Sequence, residues 1–402
     1  MLSLETALEK IFASLPASRI ETRPVNESAG RILAGEVCAA NDLPFFDNSA
    51  MDGYAVRSSD VTIANQQQAV LLRLIGEIPA GTVFSGNVSA GECVRIFTGS
   101  PVPSGADAVV MQEDTRVETG NPEEIQILDR ARPFENIRLK GEDIKSGAHI
   151  GRTGQRVTAG LLNLLGAVGC ASVSVNARPV VGVLATGDEL RVPPDVPGPG
   201  EICESNRAMV AFMVNQVGGE AKTFPIVRDT LAATRAALEH AFTECDLVVT
   251  TGGASVGKHD YVKDAFAAMG GRQEFWKVAI KPGKPFVFGQ VENKFLFGLP
   301  GNPVSAFVTF LMLVRPALLR WQGASDTVLP SHPGKLAEPL LNRGDRRHFV
   351  RVRVDSAGRV HSAGTQASHM LHSLAIANGL VDVPPATTLD SGSIVRVMRT
   401  DL

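Results

Sequence analysis

The segment Asp246–Tyr261, DLVVTTGGASVGKHDY, predicts the central fold of this chain. Leu247–Thr250 is short, apolar and β-branched, as expected for a buried strand of a parallel sheet. Gly252 and Gly253 let the backbone turn sharply and approach a ligand closely, because neither residue carries a Cβ. The segment therefore predicts a buried strand that ends in a glycine turn.

A helix is predicted after this turn, from Asp260 to Met269, with its apolar residues on one face. A strand that passes through a glycine turn into a helix often binds anions, because free backbone N–H groups point at the turn. The spacing matches neither GxGxxG nor GxxxxGK[ST], which excludes Rossmann and Walker sites. Glycine turns also occur for structural reasons alone, so this segment by itself leaves both interpretations open.

The composition is that of a globular protein with more than one domain. The chain has 402 residues, which is enough for roughly two to four domains. It is 44% hydrophobic and 20% charged. A net charge of only −3 argues against a protein that holds nucleic acid on a basic surface, so no nucleic-acid partner is expected.

The cysteines and the N-terminus predict a cytoplasmic protein. The five cysteines are scattered and never form CxxC, so neither a zinc ribbon nor a disulfide framework is indicated. The N-terminal residues MLSLETALEKIFASL carry acids and lack the apolar core of a signal peptide. No apolar run reaches about 18 residues, so no membrane span is expected.

From Val180 onward the chain predicts a doubly wound parallel α/β sheet, because strands and helices alternate. Val180–Ala185 is a continuous apolar strand, and the acids of TGDEL, Asp188 and Glu189, follow its end. That position is where open α/β sheets bind ligands. Ser205 or Asn206 is expected to start the next helix.

Two helices are predicted before this region. Ser3–Leu15 is expected to form an amphipathic helix that Ser3 caps, and Thr158–Gly169 is expected to form a compact helix that Thr158 caps.

Two polar segments also precede this region. In Asp42–Arg57, DLPFFDNSAMDGYAVR, the carboxylates and amide could ligate a hard cation or could form an Asx turn that satisfies its own backbone. Val70–Val117 is predicted to be all-β, because short alternating runs are separated by Pro and Gly. In its loop TGSPVPSGAD, Thr98 and Ser100 could present hydroxyl groups to a ligand.

Lysines dominate the segment Phe275–Gly289, FWKVAIKPGKPFVFG. Lysines on a loop stiffened by proline can neutralise an oxyanion without a large entropic cost, although solvated lysines remain an alternative. Phe295–Ser305 then predicts another strand and glycine turn, with Ser305 as a cap of the helix Ala306–Leu319. Short strands with polar turns past Arg320 predict a C-terminal β-barrel or sandwich.

The motifs TGDEL, TTGGASVGKHDY, KPGKP and GLPGNPVS occur together in one α/β region, and DNSAMDGYAVR, RIFTGSPVPSGADAVVMQE and NIRLKGED precede them. This combination resembles the molybdopterin molybdenumtransferase family, the molybdenum insertases of molybdenum-cofactor synthesis, which includes the E domain of gephyrin. The resemblance covers essentially the whole chain and is weakest in the last 80 or so residues, where only SHML and the predicted barrel match.

The resemblance implies a multidomain α/β plus β fold. Residues 1–41 and 135–176 would form a discontinuous N-terminal α+β domain around an inserted, mainly β domain at 42–134. A molybdopterin-binding α/β domain would follow at 177–325, and a C-terminal β-barrel at 326–402. Family members are homodimers with an active site between subunits. They convert adenylylated molybdopterin and molybdate to molybdenum cofactor and AMP, with Mg²⁺.

The same resemblance, carried over motif by motif, implies the site residues. The expected catalytic residues are Asp52, Thr98, Glu189, Asp229, Asp260, Lys277 and Lys281, and the expected metal ligands are Glu189, Asp229 and Asp260. The expected substrate-binding residues are Asp188, Ser205, Asn206, Gly252, Gly253, Ser255, Gly257, Lys284, Pro300, Gly301, Asn302, Arg351 and Ser368. Clustered negative charge on both substrates fits lysines, backbone N–H groups and a metal.

Two other functions would account for part of this sequence pattern. A molybdopterin adenylyltransferase would share the α/β fold, but such enzymes are short and lack the first and last regions of this chain. A non-catalytic scaffold, the second role of gephyrin, does not account for the full set of acids and lysines. The adenylyltransferase and cofactor-acceptor enzymes are expected partners from the pathway. The sequence leaves molybdate and tungstate both open as the metal source.

Overall fold

A computed structural model of the chain describes residues 1–79, 81–118, 120–253 and 261–400. The chain begins with the helix Leu4–Ser14, and the Ser3 hydroxyl caps it by accepting a hydrogen bond from the Thr6 N–H. The buried residues Leu4, Ala7 and Ile11 lie on one face and join the largest core cluster. The predicted amphipathic N-terminal helix is therefore confirmed.

The first region continues as short paired strands and one helix. Ile20–Pro24 pairs antiparallel with Ser172–Asn176, and Val37–Cys38 pairs antiparallel with His149–Gly151. The helix Ala159–Ala167 is capped by the Thr158 hydroxyl, as predicted. A one-turn 3₁₀ helix spans Val25–Glu27.

A six-stranded β-sheet is inserted, in sequence, between the two parts of this first region. Its strand order is Ala108–Met111, Gly53–Val56, Glu92–Ile96, Val70–Ile78, Asn121–Ile127 and Thr115–Glu118. Asn48–Ser49 pairs antiparallel with Ile137–Arg138 beside it. One-turn 3₁₀ helices span Ser58–Asp60 and Gln112–Asp114. The predicted all-β character of this part is confirmed.

The central sheet has the strand order Glu220–Thr223, Val180–Ala185, Leu247–Thr251, Lys294–Leu299, Pro285–Val291 and Arg272–Lys277. The first four strands are parallel, but the last two pair antiparallel as additions to the edge. The sheet is therefore mixed rather than purely parallel. Leu190–Arg191 and Ile202–Cys203 form a separate short parallel pair.

Helices cover the central sheet: Asn206–Gln216, Leu231–Glu244, Tyr261–Ala268, Pro303–Thr309 and Arg315–Trp321, the last two joined by a π-helical turn at Phe310–Val314. Ser305 is buried inside the helix that begins at Pro303, so its predicted capping role is wrong. Proline suits the first helical turn, where an N–H would have no partner, and it moves the helix start forward.

The helical stretch Pro303–Trp321 is long and apolar enough to cross a membrane, judged by length and composition alone, but most of it lies inside the core. Within the described residues no other helix meets that criterion. The sequence criterion of an unbroken apolar run missed this stretch, because Arg315 and Arg320 interrupt it. Here it packs as a core helix.

The C-terminal strands form a closed β-barrel. Arg347–Val354 pairs with Arg359–Ser362 on one side and with Gly379–Val383 on the other, which closes the sheet. The remaining barrel strands are Ser331–Leu336 and Ile394–Arg399, and Leu340–Asn342 pairs with Thr387–Leu389 beside them. A one-turn helix spans Leu371–Ala375. Ile280–Lys281, from the central region, adds to the barrel by pairing with Arg347 and His348.

Candidate functional site

Asp52 and Thr98, both predicted from sequence, lie in direct contact. The Thr98 backbone N–H and hydroxyl each donate a 2.8 Å hydrogen bond to Oδ1 of Asp52. These bonds, with a smaller contribution from the charge of Arg95, lower the pKa of the Asp52 carboxyl below its ordinary value. The pair therefore presents a fixed, ionised carboxylate at the surface of the inserted sheet.

The glycine turn after the central strand requires glycine. Gly252 and Gly253 have φ values of +87° and +68°, a conformation that other residues adopt rarely. A Cβ on Gly252 would lie 2.8 Å from the carbonyl oxygen of Thr186, and one on Gly253 would lie 2.2 Å from Cγ2 of Val262. The predicted site residues Ser255, Gly257 and Asp260 fall outside the described residues.

A second glycine turn meets the first. A Cβ on Gly301 would lie 3.7 Å from Cα of Gly252, and the Asn206 side-chain amide donates a 2.8 Å hydrogen bond to the Gly301 carbonyl. Oδ1 of Asn206 is buried and has no hydrogen-bond partner in the described part of the chain. Ser205 stands at the start of the same helix without a side-chain capping bond. The structure thus brings together the predicted residues Asn206, Gly252 and Gly301, with Pro300 adjacent in sequence.

The predicted acids lie beyond the end of the strand Val180–Ala185. The Asp188 N–H donates to Oδ2 of Asp229 and the Asp229 N–H donates to Oδ1 of Asp188, both at 3.3 Å. Glu189 follows, with its carboxylate beside Gly187, where an added Cβ would lie 2.5 Å from Oε2. Gly187 and Asp188 line an adjacent cavity of about 480 Å³.

Carboxylate oxygens are the ligands that Mg²⁺ prefers, so the chemistry of these donors fits the expected metal. Among the described residues, however, no three His, Cys, Asp or Glu side chains are grouped as a metal site. Asp260, the third expected metal ligand, is outside those residues. The structure therefore supplies two paired carboxylates and one neighbouring carboxylate from the predicted acid set.

The predicted lysines and the barrel form a second cavity, of about 590 Å³, which we call the lysine cavity. Its lining residues come from three segments and Arg346: Lys281, Pro282, Gly283, Lys284, Pro285, Asn302, Ser305, Arg346, Gln366, Ala367, Ser368 and His369. Three cationic side chains and several polar groups surround one space, and no described acid lines it. This arrangement can bind a small oxyanion.

Lys277 does not line the lysine cavity. Its Nζ lies 3.8 Å from the centre of the Trp276 ring, which Lys263 also approaches, at 4.4 Å. The sequence predicted one lysine-bearing loop from Phe275 to Gly289. Instead, two antiparallel strands occupy much of that segment: Lys277 ends the first strand, and Lys281 lies in the connection that pairs with the barrel.

Arg351 lies behind the cavity wall rather than on it. Its side chain is fully buried, and its guanidinium donates to the Ser373 hydroxyl and to the carbonyls of Thr365 and Ala367. The backbone of Arg351 also exchanges hydrogen bonds with the Gln366 side chain. Arg351 therefore positions the segment that carries Gln366 and Ser368, whereas the sequence had predicted that it binds substrate.

Three polar residues of the lysine cavity, Ser305, Gln366 and His369, were not predicted from sequence as ligand contacts, whereas the family resemblance implied molybdate contacts in the basic cluster Arg346–Arg351. His369 belongs to the SHML motif, so it had a visible signal. Gln366 had none, and Ser305 was taken only as a helix cap. Neither Asp52 nor Thr98 is among the described residues that line this cavity.

Three family models match the chain in consecutive segments. Residues 2–169 match the MoeA N-terminal region (domain I and II), residues 182–320 a probable molybdopterin binding domain, and residues 333–399 the MoeA C-terminal region (domain IV). Together they cover the discontinuous first region with its inserted sheet, the central sheet and the barrel.

Curated relatives are similar over nearly their full length. The chain is 39% identical over 390 residues to molybdopterin molybdenumtransferase 2 of Mycobacterium tuberculosis, covering 96% of both chains. It is 37% identical over 384 residues to molybdopterin molybdenumtransferase of Haemophilus influenzae, covering 94% of this chain and 93% of the relative. A crystal structure of a molybdopterin biosynthesis MoeA protein from Pyrococcus horikoshii OT3 is 30% identical, with a TM-score of 0.82 and coverage of 99% and 100%.

Proposed function

Because this chain belongs to the MoeA family, whose curated members are named molybdopterin molybdenumtransferases, we propose that it transfers molybdenum from molybdate to adenylylated molybdopterin and releases AMP. The observation that carries this proposal is the lysine cavity. It combines the charges of Lys281, Lys284 and Arg346 with the hydroxyl of Ser368.

Molybdate is a tetrahedral dianion, and the lysine cavity has the charge and hydrogen-bond donors for it. The two lysine ammonium groups and the Arg346 guanidinium supply positive charge, and no acid is among the described lining residues, although Oδ1 of exposed Asp345 lies 3.6 Å from Nε of Arg346. Arg346 is anchored because it also donates to the Ile280 carbonyl at 3.1 Å. Preorganised charge of this kind lowers the cost of binding an anion and of stabilising charge as the reaction proceeds.

The organic substrate would bind across the two glycine turns. Backbone N–H groups near Gly253 and Gly301 suit its phosphate and pyrophosphate groups, whereas the Gly252 N–H already donates to the Leu299 carbonyl. The acids Asp188, Glu189 and Asp229, together with Asp260, would hold Mg²⁺. When bound, Mg²⁺ would neutralise the pyrophosphate charge and polarise the bond to AMP. The side chain of Asn206 holds the second turn through its hydrogen bond to the Gly301 carbonyl.

Asp52 and Thr98 support the proposal of an active site shared by two subunits. They form an ionised pair on the inserted sheet, and the described lining of the lysine cavity does not include them. In a homodimer the pair would approach the cavity of the second subunit. Several points stay predictions: the homodimer, the cytoplasmic location and the absence of nucleic-acid and membrane partners. The adenylyltransferase and the acceptor enzymes also stay predicted partners.

The test is a turnover assay with purified protein, adenylylated molybdopterin, Mg²⁺ and molybdate. We expect AMP release that depends on molybdate, together with cofactor that activates an apo-molybdoenzyme. Removal of divalent ions with a chelator should stop the reaction, and Mg²⁺ should restore it. A parallel assay with tungstate measures the choice of metal.

Two results would contradict the proposal. AMP release that is unchanged by molybdate would indicate hydrolysis rather than metal insertion. Consumption of ATP with free molybdopterin would indicate an adenylyltransferase. Activity that survives complete removal of divalent ions would contradict the Mg²⁺ part alone.

A further inference from the structure

A large cavity lies away from the predicted site residues, none of which lines it. Its volume is about 1040 Å³, and it shares no lining residue with the lysine cavity. Four parts of the chain surround it: residues 149–156, the end of the helix Asn206–Gln216, the helix Arg315–Trp321 and the connection at 324–330. We call it the arginine cavity, because Arg152, Arg156 and Arg315 line it.

The walls of the arginine cavity are held together by close backbone contacts. The Ser325 N–H and hydroxyl both donate to the Gly154 carbonyl, at 3.0 and 3.1 Å. Gly154 has a φ of +81°, and a Cβ there would lie 2.9 Å from the Ser325 nitrogen. The turn at 152–155 is thus locked against the connection that leads to the barrel. The cavity is therefore a built feature of the fold.

Arg156 and Arg315 form no ion pair with any described residue. Arg315 is 7% exposed and donates to the carbonyls of Thr327 and Val328, while its buried Nε has no partner within residues 1–79, 81–118, 120–253 and 261–400. Arg156 donates one weak bond, of 3.3 Å, to the Val217 carbonyl. A guanidinium has five N–H donors, so both retain unused donors.

The pKa shifts of the two guanidiniums agree with a site that lacks neighbouring negative charge. Burial lowers the pKa of Arg315 to about 10, and the positive charge of Arg156 contributes to that shift. Burial also lowers the pKa of Arg156. Asp326 is the one acid among the described lining residues; it is exposed, and its carboxylate accepts the Val328 N–H at 2.9 Å.

We propose that the arginine cavity binds a phosphate-bearing small molecule, through Arg156 and Arg315 with Arg152 at the rim. Arginine matches the geometry of phosphate oxygens and keeps its charge when buried. The volume is at the upper end of small-molecule sites and exceeds that of a single phosphate group. A bound ligand would connect the first region of the chain to the connection that precedes the barrel.

The probe is inorganic pyrophosphate, and hydrogen–deuterium exchange of the full-length protein reports where it binds. We expect slower exchange in residues 149–156 and 324–330 when pyrophosphate is added. Exchange at 281–285 and 366–369 reports independently on the lysine cavity, so failure of this proposal is distinguishable from failure of the proposed function. Slower exchange only in those last two segments, or nowhere, would overturn the proposal.

Two variants and a matched control test the role of the lining residues. Each is titrated with pyrophosphate by calorimetry, and all carry Lys281→Ala, which weakens binding at the lysine cavity. Arg156→Gln should weaken the remaining binding by about tenfold or more. Asp326→Asn removes the opposing charge and should tighten it several-fold. Arg130→Gln changes the net charge equally at an exposed position outside this cavity and should have no effect.

Because Asp326 is exposed, we expect the Asp326→Asn variant to fold normally. If Arg156→Gln impairs folding, the affinity of the Asp326→Asn variant tests the proposal. Unchanged affinity in the Asp326→Asn variant would overturn the proposal. Equal weakening by Arg130→Gln and Arg156→Gln would show that only net charge matters, and that outcome would overturn it as well.

Discussion

Thr98 holds the Asp52 carboxylate through two hydrogen bonds to the same oxygen, Oδ1, each 2.8 Å long. The second oxygen, Oδ2, has no hydrogen-bond partner among the described residues. One residue thus fixes both the orientation and the ionisation of the carboxylate, while Oδ2 stays available to a substrate. Asp52 and Thr98 are separated by 46 positions in sequence, and the pairing of the strand Gly53–Val56 with Glu92–Ile96 brings them together.

We expect Thr98→Val to raise the pKa of Asp52 toward its ordinary value, because the hydroxyl donor is lost while the backbone donor remains. Turnover should fall by about tenfold, as for the loss of one hydrogen bond to a charged group. NMR titration of the carboxyl group and the AMP-release assay measure the two effects. Thr98→Ser keeps both donors and should behave like the unaltered protein; an unchanged pKa in Thr98→Val would refute this account.

Lys281→Ala should weaken molybdate binding by at least about tenfold, because one of three cations around the lysine cavity is removed. Direct titration with molybdate measures this effect without the organic substrate. Lys335→Ala, on an exposed position of the barrel, is the matched control. Equal affinity in both variants would place molybdate elsewhere.

Arg351→Lys should act through the segment that Arg351 positions. Lysine keeps the charge but cannot bridge Ser373 and the two carbonyls at once, so we expect a loss of about 1–3 kcal/mol in unfolding free energy. The KM for molybdate should rise more than kcat falls, because Ser368 and Gln366 shift. Arg353→Lys, two residues away and exposed, is the control. A fall in kcat with an unchanged KM would contradict a positioning role.

His348 should make folding stability depend on pH. Both ring nitrogens are buried and have no hydrogen-bond partner among the described residues, and burial, followed by the charges of Lys281, Arg351 and Arg346, lowers its pKa to about 4. The unfolded chain, with a pKa near 6.5, then binds more protons between about pH 4 and 6.5. Stability is therefore lost as the pH falls through that window, by roughly 3 kcal/mol in total from this group.

His348→Phe should remove that share of the pH dependence, which denaturant unfolding at pH 7 and pH 4.5 would measure. His372→Phe, at an exposed histidine, should keep the dependence of the unaltered protein. An unchanged difference in unfolding free energy between pH 7 and pH 4.5 in the His348→Phe variant would show that the buried imidazole does not contribute.

Local signals in the sequence predicted much of the fold. Capping by Ser3 and Thr158 depends on residues three positions away, and the apolar run Val180–Ala185 is short and rich in valine, as expected for a buried strand. The antiparallel edge of the central sheet was missed, because the lysines and prolines of Phe275–Gly289 suggested a loop. Strand order depends on contacts between distant residues, which periodicity does not encode.

The site was predicted by residue type better than by position. Asp52 with Thr98, Asp188 with Asp229, and Lys281 with Lys284 and Ser368 lie together in the structure. Lys277 and Arg351 do not line the cavity with them. Their sequence environment shows positive charge, but only the tertiary structure shows that Trp276 covers one lysine and that carbonyl groups surround the arginine.

The lysine cavity lies where the barrel meets the central region, and one apolar core spans that boundary. Phe349 and Leu380 of the barrel belong to the same buried cluster as Phe286 and Phe297 of the central sheet. A core substitution far from any charged group would therefore tilt one wall of the cavity against the other. Inherited or selected variants that lose molybdate affinity should accordingly include conservative changes among these phenylalanines and leucines, with all polar residues intact.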